Sequence, residues 1–534
     1  MKKINQYKLL AGICALSFLS SCDYEDINTN PYEMTDEMGK MDGIAMGGPI
    51  LSMERHVVPV GTQADGTKYI NEYQTAYHLS ADLWSGYFSE NNNWDSGNNH
   101  MTYFLKDAWV SSTYKNSYTN VFAPWKEAKI ESEKNGDTNG FALAQILKIS
   151  AWVKTLETFG PIPYIHAGEM ALVIPFDSEE EVYDAMFSDL QNAITTLTPL
   201  AEQGGTVVAD FDAVYAGSAN KWVKYANSLM LRLAMRLRFV APEKAKQWAQ
   251  TALEHSVGVM EVKDDEAQMS VGAGYTFVSN IAYLAANYNE ARMCTSMYAY
   301  LAGYEDPRLS KYFSPSKTKG ALSAFDGETY APVPPGHVQG NDTYKEYSQP
   351  NMTSATPNYW MRASEVYFLR AEAALAWPEF GDAESLYKQG VQMSFEENGL
   401  SASEVDTYLA NGKKPVAVTI NGYSAPVPTQ ATTEFSGNNE EKLEKIMIQK
   451  WIALYPNGQE AWTEWRRTGY PKLNEVQNNR GAQGITKEKG IRRMVYPISF
   501  SQSAEDKANY DDAVSKLKDK MDKATSRLWW DTRN

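Results

Sequence analysis

Residues 220–240 read NKWVKYANSLMLRLAMRLRFV, with apolar side chains at Trp222, Ala226, Leu229, Leu233, Leu237 and Val240. Steps of three and four put those six on one face of an α-helix. Met230, Leu231, Ala234 and Met235 fill a second face. A helix apolar on two faces, its charge held mostly by Lys221, Lys224, Arg232, Arg236 and Arg238, belongs between other helices. Ser218 or Asn220 is placed to cap its start, and Pro242, which lacks an amide proton, to stop it.

Working outward, residues 243–255 carry Ala245, Trp248, Ala249, Ala252 and Leu253 and form the partner of this helix. Residues 364–377 and 382–395 make a second pair, joined at WPEFG, where Pro378 and Gly381 break the run. Residues 142–156 with 178–197 make a third, and the helical patterns around 69–88 and 114–134 supply a fourth. Alanines at the contact positions and a repeat of about 34 residues give each pair a tetratricopeptide-like form. The expected fold is therefore mainly α, with about four such pairs as a scaffold. Ser178 and Glu181 are spaced as a capping box, so the acids at 179–181 complement a helix start and need no metal. Two long irregular regions, 314–358 and 397–437, are dense in Pro, Gly, Thr, Ser and Asn and sit on that scaffold.

At the N-terminus, basic residues precede an apolar run at 9–19 and then LSSC, residues 19–22. This reads as a signal peptide over 1–21, too short to span a bilayer. Residues 22–68 read as a tether and a loop leading into the fold, and 69–534 as one helical domain. Removal of Lys2, Lys3 and Lys8 with the signal takes the net charge from -16 to -19. Such a balance argues against nucleic acid as a partner. The cysteines are Cys14, Cys22 and Cys294; if Cys14 is removed and Cys22 modified, one thiol remains and no internal disulfide can form.

Several segments carry a resemblance in a fixed order. DAVYAGSAN at 212–220 leads into the helix above; TFGPIPY precedes it at 158–164. EDPRLSKYFSP follows at 305–315, ASEVYFLRAEAAL at 363–375, IQKWIALYPNGQEAWTEWRRTGYP at 448–471, RRMVYP at 492–497 and LWWD at 528–531. Together they resemble the SusD/RagB family of nutrient-binding lipoproteins of Bacteroidetes. The resemblance implies a non-catalytic cell-surface protein that captures an oligosaccharide or oligopeptide for a SusC-like TonB-dependent outer-membrane transporter, with the long loops carrying the ligand surface. LSSC resembles a lipobox, which makes Cys22 the lipidation site and the outer membrane the anchorage; Asp23, Glu25 and Asp26 resemble the family's acidic export tether.

No catalytic motif stands against that reading. None of the six histidines lies one helical turn from another, and there is no HExxH or paired CxxC, so no zinc site and no cofactor is expected. A secreted glycoside hydrolase needs only an Asp/Glu pair and is the alternative. Aromatic residues make up 12% of the chain, with 14 Trp and 33 Tyr, and sugar rings pack on aromatic planes. Trp222, Trp248, Trp451, Trp462 and Trp465 fall on helix patterns and read as core. Three groups beside polar loops are the candidate ligand contacts, with loop packing as their other reading. They are Trp84 and Tyr87 with Asn93, Trp94 and Asp95; Asn289, Arg292 and Cys294; and Tyr359, Trp360 and Arg362.

Several acyl chains anchor a protein stably where one does not. Cys22→Ala is accordingly expected to release the protein from the outer membrane, and retention in the membrane fraction after a salt wash would refute the lipobox.

Overall fold

The periodic segments become a helical scaffold in the computed structural model, which describes residues 43–533, Leu172 excepted. The signal, Cys22 and the acidic tether lie outside the described residues. In chain order the scaffold helices are α1 (Ile44–Val57), α2 (Gly66–Tyr73, running on as a wider π-helical coil over Gln74–Asp82), α3 (Asp107–Tyr114) and α4 (Asn120–Asn135). They continue with α5 (Thr138–Phe159), α6 (Glu179–Glu202), α7 (Ala219–Arg236) and α8 (Pro242–Leu253). The last are α9 (Ala363–Ala376), α10 (Ala383–Glu397), α11 (Asn439–Leu454) and α12 (Gly458–Thr468). The coil after α2 packs on α3, α5 on α6, α7 on α8 and α9 on α10, which are the four pairs; α11 and α12 add to them. Short ladders decorate the scaffold: β1 (Phe88–Glu90), β2 (Ala267–Met269), β3 (Ala291–Met293) and β4 (Asn358–Met361) pair antiparallel as β1 with β3 and β2 with β4. Among the described residues no helix is long and apolar enough to cross a membrane.

The central helix is α7, and its start explains the DAVYAGSAN run. Asp212 is fully buried; its carboxylate accepts from the N–H of Val214 (2.8 Å), Tyr215 (3.0 Å) and Gly217 (2.7 Å) and from Trp222 Nε1 (2.7 Å). One side chain thus folds the turn and pins the first large residue of the helix. Ser218 is the cap, accepting from Lys221 N–H at 3.4 Å, and Ser178 with Glu181 forms the expected capping box on α6. The helix ends at Arg236 rather than Val240, because residues 237–240 turn back on themselves. Pro242 does not stop α7; it opens α8, in a first-turn position where no amide proton is needed.

The stretch read as a loop before residue 69 contains α1, and the compact unit begins at Met46. Gly47, Gly48 and Pro49 obscure the pattern, yet Met46, Ile50, Met53 and Val57 are buried in the core. Gly47 answers a packing demand: a Cβ there would lie 2.2 Å from the Phe211 ring.

The two arginines of α7 are buried. Arg236 is fully buried and donates to Glu157 of α5 (2.7 Å), Glu460 of α12 (2.7 Å) and Glu464 of α12. Arg232 makes two parallel bonds of 2.7 Å to Glu365 of α9. Arg467 of α12 is bidentate to Glu372 of α9 (2.7 and 2.6 Å) and also meets Glu464 at 2.6 Å. Arg238 reaches Glu372 at 3.0 Å and Lys450 of α11 reaches Glu464 at 3.1 Å. Five cations thus face five carboxylates, and the cluster closes at zero net charge. Guanidinium forks suit this role because they offer several donors in a fixed plane.

Burial alone would raise the Glu464 carboxyl, but Arg467, Lys450 and Arg236 hold it well below the ordinary 4.5. A carboxyl depressed on folding stabilises the fold at pH values above its unfolded pKa, and that stability is lost as pH falls through the folded value. Glu464→Gln should therefore cost about 3–5 kcal/mol at neutral pH, and its denaturant midpoint should fall less steeply than wild type below about pH 4.5. Equal acid sensitivity in both proteins would refute this. Leu233→Ala, at a fully buried position of α7, should cost about 2–5 kcal/mol in the same denaturant titration.

Candidate functional site

Helix α12 has two working faces. Glu460, Glu464 and Arg467, spaced by four and three, enter the ion cluster, while Trp462, Trp465 and Arg466 lie on another side. Trp462 and Trp465 line a cleft of ≈ 460 Å³. Its apolar floor includes Trp84, Trp462 and Met101; Trp84 packs on Trp462 with ring centroids 4.9 Å apart and donates from Nε1 to the His100 carbonyl at 2.9 Å. Burial pushes the His100 imidazole down to about 3, so it stays neutral and serves as a ring stacked on Trp84 at 5.4 Å.

Above this floor the side chains become amphipathic. Trp465 and Tyr103 are half-buried, and Gly490 (φ 57°) crosses beside both; a Cβ there would lie 3.2 Å from Trp465 and 3.4 Å from the Tyr103 hydroxyl. Asn474 lines the cleft with its side-chain amide nitrogen buried and without a partner, a donor left available. Exposed Lys472, Lys487 and Lys489 stand on the rim with Glu475 and Glu488. A shallower groove of ≈ 650 Å³ continues from residues 472–476 and Lys487 onto residues 422–428, which belong to the second long loop. The first long loop contributes Pro335 and Gly336 to the main cleft.

The sequence-predicted residues divide into three sorts. Trp84 and Cys294 line the cleft, both as buried wall. The β1–β3 ladder brings the first and second groups together by opposing Ser89 to Arg292, but most of their members are engaged in holding loops. Tyr87 is fully buried against Trp451 and donates to its carbonyl. Arg292 is fully buried and spends its donors on the carbonyls of Glu290, Ala291, Tyr344 and Lys345 and on the Asn289 side chain. Asn289 also bonds Asp342 at 2.9 Å, Asn93 donates to Asn341 and the Val338 carbonyl, and Asp95 pairs with Lys106. Trp94 is half-buried, edge-on to Trp109 at 6.3 Å, and outside the cleft lining.

The third group lies elsewhere. Trp360 packs against Trp222 and Tyr225, Arg362 is buried between Glu266 (2.7 Å) and Glu397 (3.4 Å), and Tyr359 lies under the Arg362 guanidinium. Tyr87, Arg292 and Arg362 are buried with donors taken by protein partners, and Trp360 is buried in aromatic packing with its Nε1 unpartnered. Trp465 reverses the other way, from expected core to cleft wall, and Trp248 is half-buried against Phe187 at 4.8 Å. The polar run GAQGITKEKG at 481–490, which brings Gly490 and two rim lysines, was a legible sign of a surface loop. Among the described residues one group could share a cation, His78, Glu90 and Glu290.

Comparison with known proteins agrees with this architecture. The family model described as SusD-like, SusD and RagB outer-membrane lipoprotein, matches residues 26–531. A chitin-binding SusD homologue from Flavobacterium johnsoniae is 33% identical with a TM-score of 0.81, over 92% of this chain and 99% of that one. A SusD homologue from Bacteroides vulgatus is 32% identical with a TM-score of 0.83, over 92% and 99%, and one from Bacteroides ovatus is 30% identical with 0.82, over 92% and 100%. No curated protein matches the sequence. A four-pair helical scaffold shared with solved relatives and a family match across nearly the whole chain lead to one statement: this chain belongs to the SusD-like family of nutrient-binding outer-membrane lipoproteins.

Proposed function

We propose that the cleft over α12 captures an oligosaccharide at the cell surface and that the protein passes it to a SusC-like TonB-dependent transporter without cleaving it. The observation that carries this reading is the meeting of half-buried Trp465 and Tyr103 with the unpartnered Asn474 amide in one cleft. An aromatic plane accepts the C–H face of a sugar ring, and adjacent donors satisfy its hydroxyls. The Flavobacterium relative, a chitin-binding protein, supports a glycan ligand. The lining also supports binding over hydrolysis. Its two acids with open carboxylates, Glu475 and Glu488, are exposed on the rim, and a hydrogen bond from Thr486 lowers the Glu488 pKa, whereas a glycosidase needs an acid held protonated.

The test is calorimetric titration of the purified protein with a panel of neutral and acidic oligosaccharides and a mixed peptide library. Trp465→Ala and Tyr103→Ala should each weaken the best oligosaccharide by about thirtyfold or more, the effect of losing about 2 kcal/mol from an aromatic anchor, with melting temperatures near wild type. Trp84→Ala, which opens the buried floor, should lose stability together with binding. Unchanged affinity in both Trp465→Ala and Tyr103→Ala would refute the cleft; binding of peptides alone, or product release from any glycan, would refute the ligand class or the non-catalytic role.

A further inference from the structure

Three carboxylates and one imidazole are buried together at the root of the loop that follows β1. His78 lies on the coil after α2, Glu90 ends β1, and Glu290 immediately precedes β3; their exposures are 0%, 0% and 2%. His78 Nε2 is 2.7 Å from Glu90 Oε1, and its other nitrogen, Nδ1, faces Asp82 Oδ2 at 3.3 Å. One ligand atom from each of His78, Glu90 and Glu290 falls within 4.8 Å of the others. Glu90 Oε2 is buried without any partner.

The charge balance here is unlike that of the central cluster, where each carboxylate meets an arginine or lysine. The carboxylates of Asp82, Glu90 and Glu290 accept from Tyr73 (2.8 Å), His78, Gln74 (2.8 and 2.7 Å) and Asn92 (3.4 Å), and from no arginine or lysine among the described residues. Arg292 is nearby, but its donors go to backbone carbonyls and Asn289. The one basic group among them is the His78 imidazole, which faces both Glu90 and Asp82, so three buried carboxylates share at most one positive charge, an imbalance that is strongly disfavoured. We propose that His78, Glu90 and Glu290 bind a divalent transition-metal cation, with zinc the best match, and that the ion fastens β1 and β3 to the coil after α2.

The chemistry of the donors supports that class. One imidazole with carboxylates suits zinc or manganese, and a carboxylate on the second ring nitrogen is the usual support of a metal-bound histidine, here Asp82. At 2.7 Å the His78 nitrogen and the Glu90 oxygen stand at hydrogen-bond distance, and to share a tetrahedral zinc at about 2.1 Å they part to about 3.4 Å. Glu290, whose ligand atom lies within 4.8 Å of the other two, must shift toward the ion as well. The role is structural: Asn91 and Asn92 follow Glu90 directly, so the ion would hold the root of the loop bearing Trp94.

The full mature chain, stripped with chelator, should be titrated calorimetrically with zinc, manganese and calcium chloride, and melted with and without each. One zinc per chain and a raised melting temperature are expected. Glu290→Gln, which keeps a side chain able to bond Gln74, should weaken zinc by about tenfold or more while the metal-free melting temperature stays close to wild type; His78→Gln should weaken zinc likewise and, because it removes the donor to Glu90, also lower the metal-free melting temperature. Absence of binding by all three metals at millimolar concentration would overturn the proposal. So would zinc affinity unchanged in both variants, which would place the ion on other groups.

Discussion

A charged side chain buried in a protein must meet its opposite, and in this fold that requirement is imposed on five helices at once. Arg232 and Arg236 of α7, Arg238 just beyond it, Lys450 of α11 and Arg467 of α12 face Glu157 of α5, Glu365 and Glu372 of α9, and Glu460 and Glu464 of α12. Apolar surfaces tolerate sliding by a fraction of a turn, since Leu against Leu differs little from Leu against Met. Bidentate guanidinium pairs do not. The hydrophobic faces of α7 bring the helices together, and the ion cluster selects the one registration in which no charge is stranded. Its contribution is more to uniqueness than to net stability, because desolvation consumes much of what the pairs return.

That registration has a functional side. Because α12 inserts its acidic face into the cluster, Trp462 and Trp465 on its other side are held at fixed positions relative to α5, α7 and α9. Arg466 joins the two roles: it lies 3.4 Å over the Trp462 ring and donates to the carbonyls of Glu157 (2.6 Å) and Arg492 (2.9 Å). The cleft is thus built in part on a helix that the ion cluster fixes, with loop residues such as Pro335, Gly336 and Gly490 completing its wall.

Three of the family-like segments were legible in the sequence because they carry most of this lattice: LMLRLAMRLR holds three of its arginines, ASEVYFLRAEAAL two of its acids, and QEAWTEWRR two acids and one arginine. Periodicity identified the four helical pairs for the same reason that they pack. It failed at α1, where two glycines and a proline hide a buried face, and at residues 237–240, where apolar residues continue the pattern after the hydrogen bonds have turned. The site was less legible. Trp465 shares its helical spacing with Trp462, and only the orientation of α12 makes one a wall and the other a floor. Arg292 and Tyr87 sit in polar surroundings in sequence but inside the fold in space, and Glu290 reaches His78 across more than two hundred residues, beyond any local pattern.

The two-sidedness of α12 also separates what can vary from what cannot. Residues 472–490, the segment that supplies the rim lysines, Asn474 and Gly490, touch the cleft without contributing to the ion lattice. Substitutions at its exposed positions, Lys472, Glu475, Lys487, Glu488 and Lys489, alter charge and hydrogen bonding around the aromatic platform without touching the core. If the cleft holds the ligand as proposed, its preference can change through this one surface segment while the scaffold stays as it is.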